Sequence, residues 1–360
     1  METIIYKSFT KGVCEQRIIA ANRLGDPMPR FSPLITETFT LKNRLVVPPM
    51  ASQTADQAGL ATLDTLTHYA NLAKSGASLV MVEYSFVSLA GRSEANQLGA
   101  HHDSCITGLA EIVNIIHQAG AKAALQLTHC GGKDSDGISG DLMGPAGITV
   151  PAYDRELPLP RAMTAADIVT WQQDFVRAAL RAEQAGFDFV ELHCAHGYGL
   201  NQFLSPITNQ RTDLHGGSLS NQARLITDII TDINQQAPRL KLMVRIPGQD
   251  LYPGGLSQTD MVQAAQLMVT AGVDILNISS GIGGWTRPKN RRGQGYLINE
   301  SQYMKQANLG VPIIGVGGIE EGDYIDTAIE NDWLDLAAVG RSILKDPVVF
   351  YASQMIKKSG

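Results

Sequence analysis

Within six positions the sequence places two imidazoles and a phenol, His193, His196 and Tyr198, inside the run FDFVELHCAHGYGLNQFLSP. Two imidazole N–H groups that converge on one oxygen can stabilise negative charge growing there. A phenol nearby can give up a proton as a general acid. A His-x-x-His pair also occurs in zinc sites, but this one lacks the HExxH helix pattern and a third ligand in the motif. The run starts as a strand, with Phe189, Glu191 and His193 on one face and Val190 and Leu192 on the other. It ends in a glycine-flanked turn. A polar cluster at a strand end can be a satisfied structural network. Three such groups beside two glycines favour chemistry instead.

The elements that must position these groups alternate along the chain. Short runs rich in Val, Ile and Leu occur at 45–49, 79–84, 123–128, 188–193, 240–246, 274–279, 312–316 and 334–339. Segments of helical spacing lie between most of them, at 63–76, 106–120, 164–186, 221–236, 257–272 and 320–331. In the first, Leu63, Leu66, Tyr69, Ala70 and Ala73 read as one apolar stripe. Gly76, Gly120, Gly186, Gly272 and Gly310 read as helix C-terminal glycines, and Thr164 with Asp167 as a capping pair. Eight strands alternating with helices predict a single α/β domain, a (β/α)8 barrel. A doubly wound sheet is the runner-up, but LVVPPMAS carries no glycine-rich fingerprint. Residues 1–33 read as an arm and 34–360 as the barrel. The segment 130–161, rich in Gly and Pro after the third strand, reads as a cap over the site.

In a barrel the strand ends face one pocket, so their residues form a set. The first end offers Pro48, Pro49, Met50, Ala51 and Ser52. Gln126, in the third strand, is either a structural amide or a partner for a flat heterocycle with donor and acceptor edges. Arg245, in the fifth, either pairs with an inward carboxylate such as Glu191 or holds an anion or electron-rich ring. The sixth to eighth ends give Ser280-Gly281, Gly317-Gly318 and Gly340-Arg341. Loops after strands seven and eight commonly bind phosphate, and an arginine adds a fork of donors. Together these describe a phosphorylated planar cofactor with a substrate stacked on it. FMN fits better than pyridoxal phosphate, because the one lysine near a strand end is Lys133, in the cap segment.

The chain resembles the old yellow enzyme family of FMN-dependent NAD(P)H oxidoreductases over residues 34–351. The resemblance rests on NRLVVPPM, LVMVE, GRSEANQLG, LQLTHCGGK, ELHCAHGYGLNQFLSP, NQRTDLHGGSLSNQARL, MVRIPGQD, NISSG, VGGI and AVGRSILKDP. It implies FMN in the barrel mouth, with Pro48, Pro49, Met50, Ala51 and the backbone of Tyr84 against the ring. It implies Gln126 and Arg245 at the ring's pyrimidine edge. Ser280, Gly281, Gly317, Gly318, Gly340 and Arg341 would surround the ribityl phosphate. His193 and His196 would hold the carbonyl of an α,β-unsaturated substrate, and Tyr198 would protonate it, with NADH or NADPH as reductant. Alternatives within the family are an NADH oxidase, a dehydrogenase or a demethylase. Outside it stand a non-catalytic flavin barrel and a flavin-free phosphate-binding barrel. Departures from the family pattern are Ala51, Tyr84, Gly132 and the His101-His102 pair.

The bulk composition fits this reading. The 360 residues are 44% hydrophobic and 18% charged, with a formal charge of −6 and no basic run, which argues against nucleic acid. The spacing of Cys14, Cys105, Cys130 and Cys194 fits neither a zinc site nor a disulfide framework. The start METIIYKSFTKG has no long apolar core, and no stretch of the chain is apolar enough to span a membrane. A small-molecule electrophile as substrate, a cytoplasmic setting and room for a homo-oligomer complete the expectation.

Overall fold

The computed structural model describes residues 28–350 except 135 and 289. The sequence reading of residues 1–27 therefore lies outside the described residues. Eight parallel strands close into a barrel: β1 Leu45–Val47, β2 Leu79–Phe86, β3 Lys122–Thr128, β4 Phe189–His193, β5 Lys241–Pro247, β6 Ile275–Ser279, β7 Ile313–Gly315 and β8 Leu336–Ala338. The seam is made by β8 on β1, with Ala337 opposite Leu45 and Ala338 opposite Val46. The helices α1 Leu63–Ala73, α2 Cys105–Gln118, α3 Ala165–Ala185, α4 Leu219–Gln236, α5 Gln258–Thr270, α6 Ile298–Gln306, α7 Gly322–Glu330 and α8 Arg341–Lys345 each follow the strand of the same number. A short helix Gly199–Leu204 precedes α4. Among the described residues, no helix is long and apolar enough to cross a membrane.

Every strand is buried on both faces, which explains why its sequence is apolar throughout rather than alternating. The inward faces fill the barrel with Val46, Leu79, Met81, Ala124, Phe189, Met243, Ile275, Ile314 and Leu336. Val80, Leu125, Val190, Leu192 and Val244 belong to a second, larger cluster shared with the helices. The hairpin of Leu34–Ile35 and Thr40–Leu41 plugs the N-terminal end. Its Leu34 and Leu41 join the inner cluster, and Phe39 stands edge-on to Phe189 with ring centroids 5.3 Å apart.

Local signals explain most helix limits. Thr164 and Asp167 cap α3 reciprocally, and Gly186 ends it at φ 92°. Two expectations are corrected. In α1 the buried set is Thr65, Tyr69, Leu72 and Ala73, while Leu63 is 78% exposed. Thr65 is drawn inward because its hydroxyl closes the cap with Thr62 and bonds Thr54. Gly310 does not end a helix either. Helix α6 stops at Gln306, and Asn308, at φ 51°, makes the turn before it. The sequence reading missed α6 because it buries only Glu300, Ser301 and Met304, too few apolar positions for a stripe.

One irregularity shapes the site. Between β2 and β3 the register runs from Val82 opposite Leu125 to Ser85 opposite Leu127, so β2 carries one extra residue. Glu83 turns to α1, taking bonds from Ser52 and from the Tyr69 hydroxyl. Tyr84 turns to the mouth.

Candidate active site

His193 ends β4 on its inward face. Cys194 and Ala195 follow, and then the chain reverses through His196 and Gly197, at φ 62° and 78°. A histidine held in the left-handed region is strained by ~1–3 kcal/mol unless its surroundings fix it. Here three bonds do so. The His196 amide donates to Ser280 O at 3.3 Å, its Nε2 meets Ser279 Oγ at 2.7 Å, and Lys133 Nζ donates to its carbonyl at 2.5 Å. Gly197 is required where it stands, since a Cβ there would lie 2.5 Å from Ile282 O.

The turn brings three rings together. His193 and His196 are perpendicular, with centroids 5.0 Å apart. His193 and Tyr198 lie 4.8 Å apart. Tyr84 sits 5.5 Å from Tyr198, and the Lys133 ammonium lies 4.5 Å above the Tyr198 ring. A cavity of about 520 Å³ opens over Tyr198, Lys133, Glu94, Arg155 and Trp285. The cap segment folds over this mouth. It is pinned by the short parallel pair of Met143–Gly144 with Arg161–Ala162 and by packing of Val150 and Leu157 on Ile282. Arg211 ties the cap to the chain after β4 by donating to Pro145 O and Met163 O, which gives the NQRTD run its structural role.

The electrostatics keep all three rings neutral. Burial, and then the Arg245 charge, hold both imidazoles well below their ordinary pKa. Burial, and then Glu94, push the Tyr198 phenol up, against interactions with Tyr84 and Ser93. Each imidazole therefore has one N–H to give, and the phenol keeps its proton. His193 Nδ1 is buried without a hydrogen-bond partner among the described residues. A consequence for stability follows. The unfolded chain binds protons on these imidazoles below about pH 6.5, and the folded chain does not. Their contribution is thus full above pH ~6.5 and lost as pH falls through it. Urea midpoints of the cofactor-free protein should drop between pH ~6.5 and ~5. Asn at both positions should flatten that drop, and an unchanged slope would place its origin elsewhere.

Below the rings lies a polar layer. Gln126 Nε2 donates to Glu191 Oε1 at 2.6 Å, and Asn277 Nδ2 to Glu191 Oε2 at 2.7 Å. Arg245 Nη2 donates to Ser279 Oγ at 3.1 Å. Arg245 forms no ion pair with Glu191 within 4.0 Å among the described residues. The charges act on each other through space. Arg245 Nε and Asn277 Oδ1 are buried without partners. Unmet donors and acceptors lining an apolar cylinder suit a heteroaromatic ring with polar edges.

Of the remaining predicted residues, Pro48, Pro49, Met50, Ala51, Gly318, Gly340 and Arg341 lie at the β1–β8 seam and beside it. Pro48 is buried, Pro49 and Met50 half-buried and Ala51 exposed. A Cβ on Gly340 would sit 3.0 Å from Met50 Sδ and 3.4 Å from Pro48 Cγ. Gly318, at φ 64°, is flanked by two guanidinium groups. Its Cβ would lie 3.0 Å from Arg287 Nη2 and 3.1 Å from Arg341 Nη2. Two guanidinium groups beside this half-buried backbone offer the charge and N–H donors that an anion would need. Gly281 has a packing reason of its own, since its Cβ would lie 2.3 Å from Asp250 Cα. Ser280 contributes its carbonyl to the His196 turn. The sequence reading missed Asn277 and gave Ser279, at the end of the sixth strand, no role of its own, although period-2 alternation with Ile275 in β6 places both inward. It also missed Arg287, which lies in a loop with no pattern.

A family model described as NADH:flavin oxidoreductase / NADH oxidase matches residues 29–358. Among solved structures, the old yellow enzyme homologue from Zymomonas mobilis is 22% identical with a TM-score of 0.77, covering 92% of this chain and 93% of that one. Morphinone reductase is 22% identical with a TM-score of 0.77 over 91% of this chain and 90% of the other. A 2-naphthoyl-CoA reductase is 23% identical with a TM-score of 0.84, and this chain spans 52% of its length. At these identities the structural likeness establishes the shared barrel.

Proposed function

The chain belongs to the NADH:flavin oxidoreductase / NADH oxidase family, an old yellow enzyme-like oxidoreductase with FMN as cofactor and a nicotinamide as reductant, and from that premise we propose that it reduces activated C=C bonds of α,β-unsaturated carbonyl compounds. The observation that carries this reading is the convergence of three neutral rings, with His196 and Tyr198 each about 5 Å from His193. The two guanidinium groups beside Gly318 and a layer of unmet polar atoms in the same barrel mouth fit the two ends of FMN. In this reading Gln126 and Arg245 hold the ring's pyrimidine edge and Pro48, Pro49, Met50 and Ala51 border the ring. Gly317, Gly318, Gly340 and Arg341 receive the phosphate. FMN bound there would supply the hydride chemistry that links the nicotinamide to the β-carbon of the alkene. The two imidazoles donate to the substrate carbonyl oxygen, where charge grows as the hydride arrives. Tyr198 gives its proton to the α-carbon. The cap and Tyr84 restrict water and set the width of the cavity.

The visible spectrum of the purified protein, taken without oxygen, tests the reading. A yellow band that NADPH or NADH bleaches and cyclohexenone restores is the expected result. Bleaching that only oxygen or a quinone reverses would replace the ene-reductase reading with an oxidase. A colourless protein that takes up no FMN would remove the placement of the cofactor.

A further inference from the structure

Glu191 lies at the centre of the barrel with no exposed surface. Both its oxygens are engaged, but only by neutral amides, at 2.6 and 2.7 Å. Among the described residues no ammonium or guanidinium stands within ion-pair distance. The facing side chains of β3, β5 and β6 at this level are Gln126, Met243, Arg245 and Asn277, and further in the lining is apolar, with Phe189, Ala124 and Ile275. On its own strand His193 is neutral and Cys194 faces the other way. The one charge acting on Glu191 is therefore Arg245, whose guanidinium is directed at Ser279 instead. A buried carboxylate in this setting is held in balance. Burial pushes its pKa up, Arg245 and the two amides pull it down, and it comes to rest at about 7.

That balance has a second party. Gln126 and Arg245 are the residues proposed above for the polar edge of the FMN ring, so this inference rests on that reading. Two electrons and one proton delivered as hydride leave negative charge at that edge, and Arg245 is then shared between two anions. We propose that Glu191 is the proton-coupling residue of the site: it binds one proton from solvent when the ring is reduced and releases it when the ring is reoxidised. Overall, one NAD(P)H, the oxidised ring, one solvent proton and the Glu191 carboxylate give NAD(P)+, the anionic reduced ring carrying the hydride, and a Glu191 carboxylic acid. Glu191 acts through Arg245 and Gln126 and is a positioning residue.

The midpoint potential of bound FMN against pH, from about pH 6 to 9, reads this directly. One proton per two electrons is a tenfold change per pH unit, or ~30 mV, and two protons double it. The wild type should steepen from ~30 toward ~60 mV per pH unit above about pH 7, and Glu191→Gln should stay at ~30 mV throughout. Parallel lines for the two proteins would overturn the proposal. Should the variant fold poorly, the wild type alone decides. Its reduced-minus-oxidised infrared spectrum should lose carboxylate bands and gain one protonated carboxyl band in proportion to FMN reduced, and a spectrum without that exchange overturns it. Failure of the underlying reading looks different. If Gln126→Ala and Arg245→Ala bind FMN as tightly as the wild type, the ring is not at this edge, and the proposal falls with its premise.

Discussion

Tyr198→Phe should slow reoxidation of the bound flavin by an enone ~100-fold or more while leaving its reduction by NAD(P)H nearly unchanged. General acids of this kind contribute ~10²–10⁴ in rate, and the substitution removes one oxygen from a ring whose neighbours stay in place. Lys133 above the ring and Tyr84 beside it hold the phenylalanine much as they hold the tyrosine. The phenol is well suited to the role because burial keeps it protonated at any working pH. The nicotinamide step requires no proton from the protein, so the two half-reactions separate the role from a general loss of structure. Stopped-flow traces of each would show it, and an equal loss in both would remove Tyr198 as the proton donor.

His193→Ala is expected to cost ~10²–10³ in kcat/KM for an enone, the usual effect of deleting one donor to a developing oxyanion. It should also weaken a bound phenol about tenfold, since a buried hydrogen bond of ~1–1.5 kcal/mol is lost. His193 is the cleaner of the two imidazoles to remove. His196 also holds Ser279 and stands at positive φ, so its loss would disturb the turn as well as the donor. The spectral shift produced by titrating the phenol measures the binding term alone. An unchanged shift would assign the imidazoles to another task.

The barrel was legible in the sequence because each strand is buried on both faces and each helix on one. That produces eight apolar runs separated by stripes, and the glycines and caps mark the joints. The rings of the site were legible because they sit within six positions of one another. What escaped has physical reasons. Glu83 escaped because it lies in the bulge: a strict period of two puts it inward beside Met81, and the extra residue turns it to α1 instead. Arg245 was weighed as a partner for Glu191 or for a ligand, and the structure gives its hydrogen bond to Ser279, a residue thirty-four positions away. Gln126 spends its amide donor on Glu191, a choice set by register across β3 and β4 that no local pattern encodes. Lys133 reads as a loop residue, and only the fold of the cap brings its ammonium over Tyr198.

The seam where β8 meets β1 carries a consequence for how the protein is made. Pro48 and Met50 leave the first barrel strand, and Gly340 and Arg341 leave the last, yet Gly340 packs against both of the former. In the proposed placement one FMN molecule therefore bridges residues nearly three hundred positions apart in the chain. A ribosome must release the chain past Arg341 before that site exists, so FMN cannot assist the synthesis of the first seven barrel strands. Once the circle closes, the cofactor acts as its clasp. A ligand that binds only the closed form adds stability in proportion to the logarithm of its concentration over Kd. Flavin supply in the cell would then set how long the finished barrel survives, as well as how much of it is active.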